Sequence, residues 1–483
     1  MQVEGVGAHA AQRRIWGLLL LAVCAYLAFA PAWTPALSVP MYDRARVLEI
    51  ALLVLVALHA LFAPVRDAAG GAWAASHPAA RIALVTWLVA GLCSAAVSLA
   101  PKVGFQQISL LVLLAWLAFA VAGLVRAQGR SAERLIAVAC ALGAGLVLAQ
   151  FWTTVLESVA SGRAFSWISP FLDFANVRFF GQYQAYALLL VPLPLLVLRL
   201  TPAWRIVAGF VASGFWMLQW LAGSRAVWVG ALVAFAAAAV LMGKGRLRWL
   251  AVQGGLVLAG GALYLAFDGF VLSAPGATPV PAHLSVVDRG GQSVSIRATL
   301  ARAALQLTAA HPLAGTGPGQ FGLHYSQTDA AHPHNAPLQL LAEYGVIGGT
   351  AGLAVGLALA IFALRELRRR TRVEADPVAA SVAAALLMGL TDALFSGNLI
   401  MPHSQVFLCV AAGWLLGHSG SGAGTVPQPP SPALRLGLAG LALLAAAVTA
   451  ALAIDYLGTI AGIPFPPEFR VPSFWQYGRF TDW

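Results

Sequence analysis

Along the chain, apolar residues come in long runs separated by short polar patches. A helix that crosses a bilayer needs about 20 such residues. Stretches near 15–32, 47–65, 82–99, 108–125, 135–155, 183–198, 206–222, 226–242, 250–267, 345–364, 378–395, 400–416 and 436–457 approach or meet that length. The pattern predicts an all-α polytopic membrane protein with about 12–13 transmembrane helices, the sixth, seventh and twelfth stretches being short. The first run follows Arg13 and Arg14 and ends on Ala28-Phe29-Ala30, which looks like a signal-peptide cleavage site. Its length, and the next run directly after it, favour an uncleaved anchor.

Two segments interrupt the rhythm. Residues 268–344 form one large loop, opening with a Pro/Gly-rich stretch from Ser273 to Pro281. A helix is expected from about Ser293 to Ala310, where Ile296, Leu300, Ala303 and Leu307 make an apolar stripe flanked by Arg297 and Arg302. The second interruption, Ser419 to Pro432, is rich in Gly, Ser and Pro and reads as a flexible linker. It leads to a last apolar run and an aromatic tail, Phe474-Trp475-Gln476-Tyr477. The chain thus divides into helices over 1–267, the loop 268–344, helices over 345–416, a linker 417–433, and an extra span with its tail over 434–483. No repeat of 20–50 residues and no inverted repeat is visible.

Composition agrees with the pattern. Of 483 residues 60% are hydrophobic and 10% charged, against roughly a quarter charged in soluble proteins, and the mean hydropathy is +0.80. That excludes a soluble dinucleotide-binding enzyme, a nucleic-acid-binding domain and a disulfide-rich secreted module. The net charge of +11 is then read through membrane topology, because lysine and arginine accumulate in cytoplasmic segments. With the N-terminus in the cytoplasm, 18 of the 29 basic residues lie on that side. The 11 that face outward include Lys102, Arg178, Arg225, Arg289, Arg297 and Arg302, and the large loop faces outward with them. Cys24, Cys93, Cys140 and Cys409 stand far apart in apolar runs and suggest neither a disulfide framework nor a metal site.

The densest polar cluster is Gly315-Thr-Gly-Pro-Gly-Gln-Phe321, followed by His324, Asp329 and His332-Pro-His334-Asn335, and then by Leu338-Gln-Leu-Leu-Ala-Glu343-Tyr-Gly-Val-Ile-Gly348. Its glycines permit tight turns, and a helix starting near Asn335 would aim its N–H groups at an anion. A neutral histidine there suits general-base work. Gly223-Ser224-Arg225 and Val177-Arg178-Phe-Phe-Gly181-Gln182-Tyr183 precede two other runs. Their arginines either anchor a helix at the interface or grip an anion with the guanidinium fork. Arg178, Arg225 and Arg297 are therefore expected to converge with His334 on one outward pocket. His332 and His334 with Asp329 make a weak metal site, and neither a metal nor a cofactor is expected. For Lys102, Arg44 and Arg46 attraction of lipid phosphates is the lesser of two readings, and Arg289 and Arg302 are expected to be solvated. Glu49 is expected to pair with Arg46 one helical turn away, and His59 to be a hydrogen-bonded packing residue. Asp392, near Ser396 and Asn398, either caps a span or touches substrate.

Together these motifs resemble the O-antigen ligase/polymerase superfamily. They are the Ser224-Arg225 pair, the Arg178-Phe-Phe-Gly181-Gln approach, and the Gly-x-Gly-x-x-x-Phe … His-Asn … Leu-Gln … Glu-x-Gly-x-x-Gly run. The resemblance implies a multi-pass glycosyltransferase of the bacterial inner membrane with its site on the periplasmic side. Such an enzyme moves a glycan from undecaprenyl pyrophosphate to an acceptor by a metal-independent, inverting reaction. Carried over, it makes His334 the base that deprotonates the acceptor, and Arg225 and Arg297 the groups that hold pyrophosphate. It makes Arg178 a third clamp, and His332, Asn335, Gln182 and Lys102 are expected as further substrate contacts. Lipid A core is the expected acceptor, with an O-antigen polymerase or a protein O-oligosaccharyltransferase as alternatives of the same chemistry. An extra thirteenth span with an outside tail departs from the family layout. A polyisoprenoid-lipid transporter is the alternative from another class, but it calls for charges along a route through the membrane rather than at one face.

Overall fold

The computed structural model describes residues 2–33, 41–162, 165, 171, 174, 177–243, 245–272, 290–325, 330–370, 376–420, 430–460 and 474–475. Among them the regular elements are all helical. The first group is α1 (Gln2–Phe29), α2 (Met41–Leu58), α3 (Ala63–Ala75), α4 (Pro78–Ala96), α5 (Pro101–Gln128) and α6 (Arg130–Ala160). Next come α7 (Val177–Ala187), α8 (Leu193–Val197), α9 (Pro202–Ala222), α10 (Arg225–Leu241), α11 (Arg246–Phe267) and α12 (Gly290–Ala310). The last group is α13 (Phe321–His324), α14 (Ala336–Arg370), α15 (Pro377–Ala393), α16 (Pro402–Gly420) and α17 (Pro432–Ile460). Eight of the described helices are long and apolar enough to cross a membrane, and α2 with its bent continuation makes a ninth, while α10 and α15 are apolar but shorter. This is an all-α polytopic membrane protein.

The apolar stretches picked out in the sequence fall on helices, with three corrections, the first being that 47–65 runs past the end of α2 into the start of α3. The stretch 183–198 is not continuous, because α7 stops at Ala187 and a turn precedes α8. Pro192 and Pro194 remove two backbone donors there. The stretch 345–364 begins earlier, at Ala336, and is broken at Gly345, whose φ of 67° and ψ of −175° interrupt α14. α3, most of which lies beyond the sequence runs, turns off α2 at 103°.

Short connections make successive long helices antiparallel, which gives the bundle two ends. Arg81, Arg126, Arg130, Arg246, Arg365 and Arg435 crowd one of them. At this arginine end Asp376 caps α15 through the Val378 N–H (3.0 Å) and accepts from Arg130 of α6 (2.8 Å). His418, on the last turn of α16, lies between Asp376 (3.1 Å) and Glu133. The starts of α2, α5, α7, α10, α14 and α16 gather at the other end.

Small residues let the long helices close up, as between TM helices generally: a Cβ on Gly413 of α16 would run into the Ala118 carbonyl of α5. The buried side chains form a continuous apolar core that includes Phe474 and Trp475. These two residues of the aromatic tail pack on the bundle: the Trp475 ring stacks on Tyr456 of α17 at 4.3 Å and its indole N–H reaches Gln106 of α5. Gln476 and Tyr477 lie outside the described residues, as do Arg289, the Ser273–Pro281 stretch and residues 421–429 of the linker.

The Arg46–Glu49 pair forms as expected, but Arg46 faces no lipid. It is 1% exposed, donates to Tyr42, Gln405 and the carbonyls of Ile400 and Phe474, and so joins α2, α16 and the C-terminal segment. His59 is the packing residue expected, its Nδ1 2.8 Å from the Leu55 carbonyl.

Candidate active site

The first wall of the site is the corner between α9 and α10. Gly223 ends α9 in the left-handed conformation (φ 60°) that favours glycine, and the Gln219 amide donates to the Ser224 carbonyl at 3.0 Å. Arg225 is thereby the first residue of α10 and is exposed. α7 comes close because Gly181 has no side chain: a Cβ there would sit 2.9 Å from Ser224 Cβ. Arg178, exposed and one turn before Gly181, is held near the same corner. Gln182, on the next position of α7, is buried, and its Oε1 has no hydrogen-bond partner.

The second wall is the loop before α14. Leu300, Ala303 and Ala304 of α12 pack on Phe321, Tyr325 and Ala342, with Leu307 at the edge. The expected stripe is therefore real except at Ile296, which is exposed. Arg297 stands on the exposed side of this helix.

The glycine motif does something other than bind an anion. The Gly319 and Phe321 N–H groups donate to the Glu343 carboxylate at 2.9 and 3.4 Å. Thr316 and Gly317 donate to the Ala342 and Glu343 carbonyls at 2.9 and 3.1 Å. Those carbonyls are accessible because Gly345 (φ 67°) breaks the helix just beyond them, and Gly315 (φ 73°) lies so close to Glu343 that no Cβ fits. Gln320 extends the anchor, accepting from the Ala100 N–H at 3.0 Å and donating to Ser98 and the Ala100 carbonyl. The Gly-x-Gly and Glu-x-Gly halves of the motif are thus two sides of one clamp, and the role of Glu343 was missed in the sequence. Its fixed spacing before Gly345 was the available signal. Lys102 is exposed on the first turn of α5, two residues from this anchor.

The clamp presents His332 to Asn335. The Asn335 side chain caps α14 by accepting from the Leu338 N–H (2.9 Å) and donates to the Leu394 carbonyl at the end of α15 (2.9 Å). Asn335 is therefore a structural link, and it occupies part of the helix N-terminus that the sequence offered to an anion. The His332 ring is buried against Gly397, where a Cβ would meet its Nε2 at 2.5 Å. Its Nδ1 accepts the backbone N–H of His334 at 3.2 Å, so its neutral form carries the proton on Nε2. His332 thus holds the backbone of His334. His334 has φ 53°, and no other non-glycine residue among those described has a positive φ. Such strain persists where the surroundings impose it and is typical of functional positions. No described residue hydrogen-bonds the His334 ring, which packs edge-on against His332 at 4.2 Å.

Electrostatics join the two walls. Burial, then the positive fields of Arg178 and Arg297, push the His334 imidazole down to about 4. Arg297 itself is lowered by burial and by the fields of Arg178 and Arg225, with Asp392 acting the other way. The structure therefore brings Arg178, Arg225, Arg297 and His334 into one electrostatic neighbourhood. Asp392 joins from α15: its Oδ2 accepts from Asn398 (2.9 Å) and from Ser396, while its buried Oδ1 has no partner. Asp329, the third member of the alternative metal site, lies outside the described residues. A neutral imidazole beside clustered guanidinium groups can take a proton from a hydroxyl while an adjacent polyanion is held.

Residues 206–351 match the family model described as O-antigen ligase. The matched part includes Arg225, Arg297, the glycine clamp and His334, and leaves Arg178, Gln182 and Lys102 outside. It bears out the resemblance to the O-antigen ligase/polymerase superfamily and indicates a membrane enzyme of glycosyltransferase type. No curated protein matches the chain.

Proposed function

We propose that this protein joins a glycan carried on undecaprenyl pyrophosphate to the lipid A core of lipopolysaccharide, at the periplasmic face of the bacterial inner membrane. The observation that carries the reading is a strained, neutral His334 in the fields of Arg178 and Arg297, with Arg225 in turn acting on Arg297. Arginine neutralises phosphate charge at any physiological pH and matches its oxygens with a planar fork. In the reaction, His334 accepts the proton of the acceptor hydroxyl and the freed oxygen attacks the anomeric carbon. The bond from that carbon to the pyrophosphate oxygen breaks on the opposite face, which inverts the centre. Arg225 and Arg297 stabilise the charge gathering on the leaving pyrophosphate, with Arg178 as a third contact. Gln182, whose buried Oε1 awaits a donor, and Lys102 are assigned to substrate binding. The periplasmic assignment is supported by the arginine-rich opposite end, which the positive-inside preference places in the cytoplasm. Grouping of the charges at one end also favours an enzyme over a transporter.

The test is a strain lacking this gene, complemented with wild type, His334→Ala, Arg225→Lys or Arg297→Lys, with membrane insertion checked by immunoblot. His334→Ala is expected to lower transfer by about 10²–10⁴, and each Lys variant to fall well short of wild type because the fork is lost. O-chain should vanish from lipid A core while polymer accumulates on its carrier. A core bearing a single repeat unit would indicate a polymerase instead, and unchanged lipopolysaccharide with missing protein glycans an oligosaccharyltransferase. Full rescue by His334→Ala would remove the proposed base.

A further inference from the structure

A cavity of about 650 Å³ opens between α4, α5, α14 and α16. Along α14 its lining runs from Ala336, directly after the His334-Asn335 pair, past the break at Gly345 to Arg365; the helix from that break to Arg365 is about 30 Å long at 1.5 Å per residue. That is close to the thickness of a bilayer's hydrocarbon core. Most of the wall is apolar, and Trp87, Leu111 and Val355 represent its middle. The two ends differ. At the site end three polar wall groups are committed to protein: Glu343 holds the glycine loop, Gln339 donates to Glu343, and Gln405 binds Arg46 and the Leu399 carbonyl. At the arginine end the lining ends on Arg81 and Arg365. Among the described residues neither pairs with a carboxylate. Arg81 also sits on the first turn of α4, where the helix dipole adds to its field.

An apolar slot with cations at one mouth and no free cation at the other, among the described residues, selects a polarised occupant. We infer that this slot is a binding site for one anionic phospholipid of the leaflet at the arginine end. Its phosphate lies between Arg81 and Arg365, and an acyl chain runs up the slot towards Ala336. Basic pockets between transmembrane helices bind anionic headgroups in this way, and hydrocarbon burial supplies the rest of the affinity. The site is separate from the one assigned to the glycan carrier, whose phosphates belong to the opposite end, and its test does not depend on glycan transfer.

The experiment uses the full chain in nanodiscs of phosphatidylcholine, with or without phosphatidylglycerol, read by thermal unfolding and by native mass spectrometry. Wild type should gain several degrees in Tm with phosphatidylglycerol and retain one such lipid through collisional activation. Arg81→Gln with Arg365→Gln should keep its phosphatidylcholine Tm and bind phosphatidylglycerol more weakly by roughly fivefold per arginine. Arg81→Lys with Arg365→Lys should restore most of the binding. Leu111→Trp, which fills the slot while leaving both arginines, should lose the retained lipid. Equal stabilisation by both lipids, unchanged retention in the double glutamine variant, or a retained polyprenyl phosphate in place of phospholipid would each overturn the assignment.

Discussion

His334 combines a left-handed backbone, a ring unclaimed by any described residue and two arginine fields. Its pKa is pushed down to about 4, from an ordinary value of 6.5, by burial and by Arg178 and Arg297. The imidazole is therefore an unprotonated base throughout the neutral range. Transfer should be flat with pH from neutrality downwards and should fall only as the pH approaches about 4. Arg178→Gln removes one positive field, so the acidic limb should move to higher pH, as pH-dependent initial rates of purified protein would show. An acidic limb that stays at its ordinary histidine position in both proteins would contradict the electrostatic account. The same shift bears on folding. The unfolded chain binds a proton at His334 between about 4 and 6.5 while the folded protein does not, so this stabilisation is complete above 6.5 and is lost as pH falls through that window.

The break in α14 is what converts a transmembrane helix into a support for the site. Ala342 and Glu343 offer carbonyls to Thr316 and Gly317 only because Gly345 leaves the helical path. A Cβ at Gly345 would collide with the Leu313 carbonyl, and φ 67° is costly for any other residue. Gly345→Ala should therefore destabilise the loop by at least about 2 kcal/mol. Hydrogen exchange should rise in residues 312–325 before it rises in α5 or α16. Unchanged exchange there would show that the clamp does not depend on the break. The Glu-x-Gly pair and the glycine run were legible in the sequence as a motif. Their mutual binding was not, because Gly319 and Glu343 approach only after the chain between them has folded back.

At the level of the assembled bundle, Arg46 and Trp475 show how distant parts of the chain close the core. Arg46 is buried with Glu49 and gathers acceptors from α2, α16 and Phe474. Replacing Arg46 by Met would strand the Glu49 carboxylate in the interior, a loss of about 3–5 kcal/mol, whereas Arg46→Met with Glu49→Leu should recover most of it. Trp475→Ala would empty the place between Tyr456 and Gln106 and should cost a similar amount. Thermal unfolding of purified variants measures both, and a Trp475→Ala protein as stable as wild type would mean that the C-terminal segment does not brace the bundle.

Long apolar runs with few charges allow only helices in a bilayer, since each backbone group must be satisfied within its own segment. That constraint is local, so most of the long helices and the helix over 290–310 could be read from the order of residues alone, but not the bend into α3, the interruption after α7 or the break in α14. The arginines and His334 could be singled out for a related reason: charged and titratable groups are scarce in such a chain and mark its ends. Which of them meet was decided elsewhere, by contacts between segments far apart in sequence. Gly181 against Ser224 draws Arg178 to Arg225, and Gly397 against His332 sets the backbone of His334. Phe474 reaches Arg46 only when α17 has packed on α2 and α5. Close approach depends on surfaces that exist only once the helices have assembled, and no periodicity along a single segment encodes it.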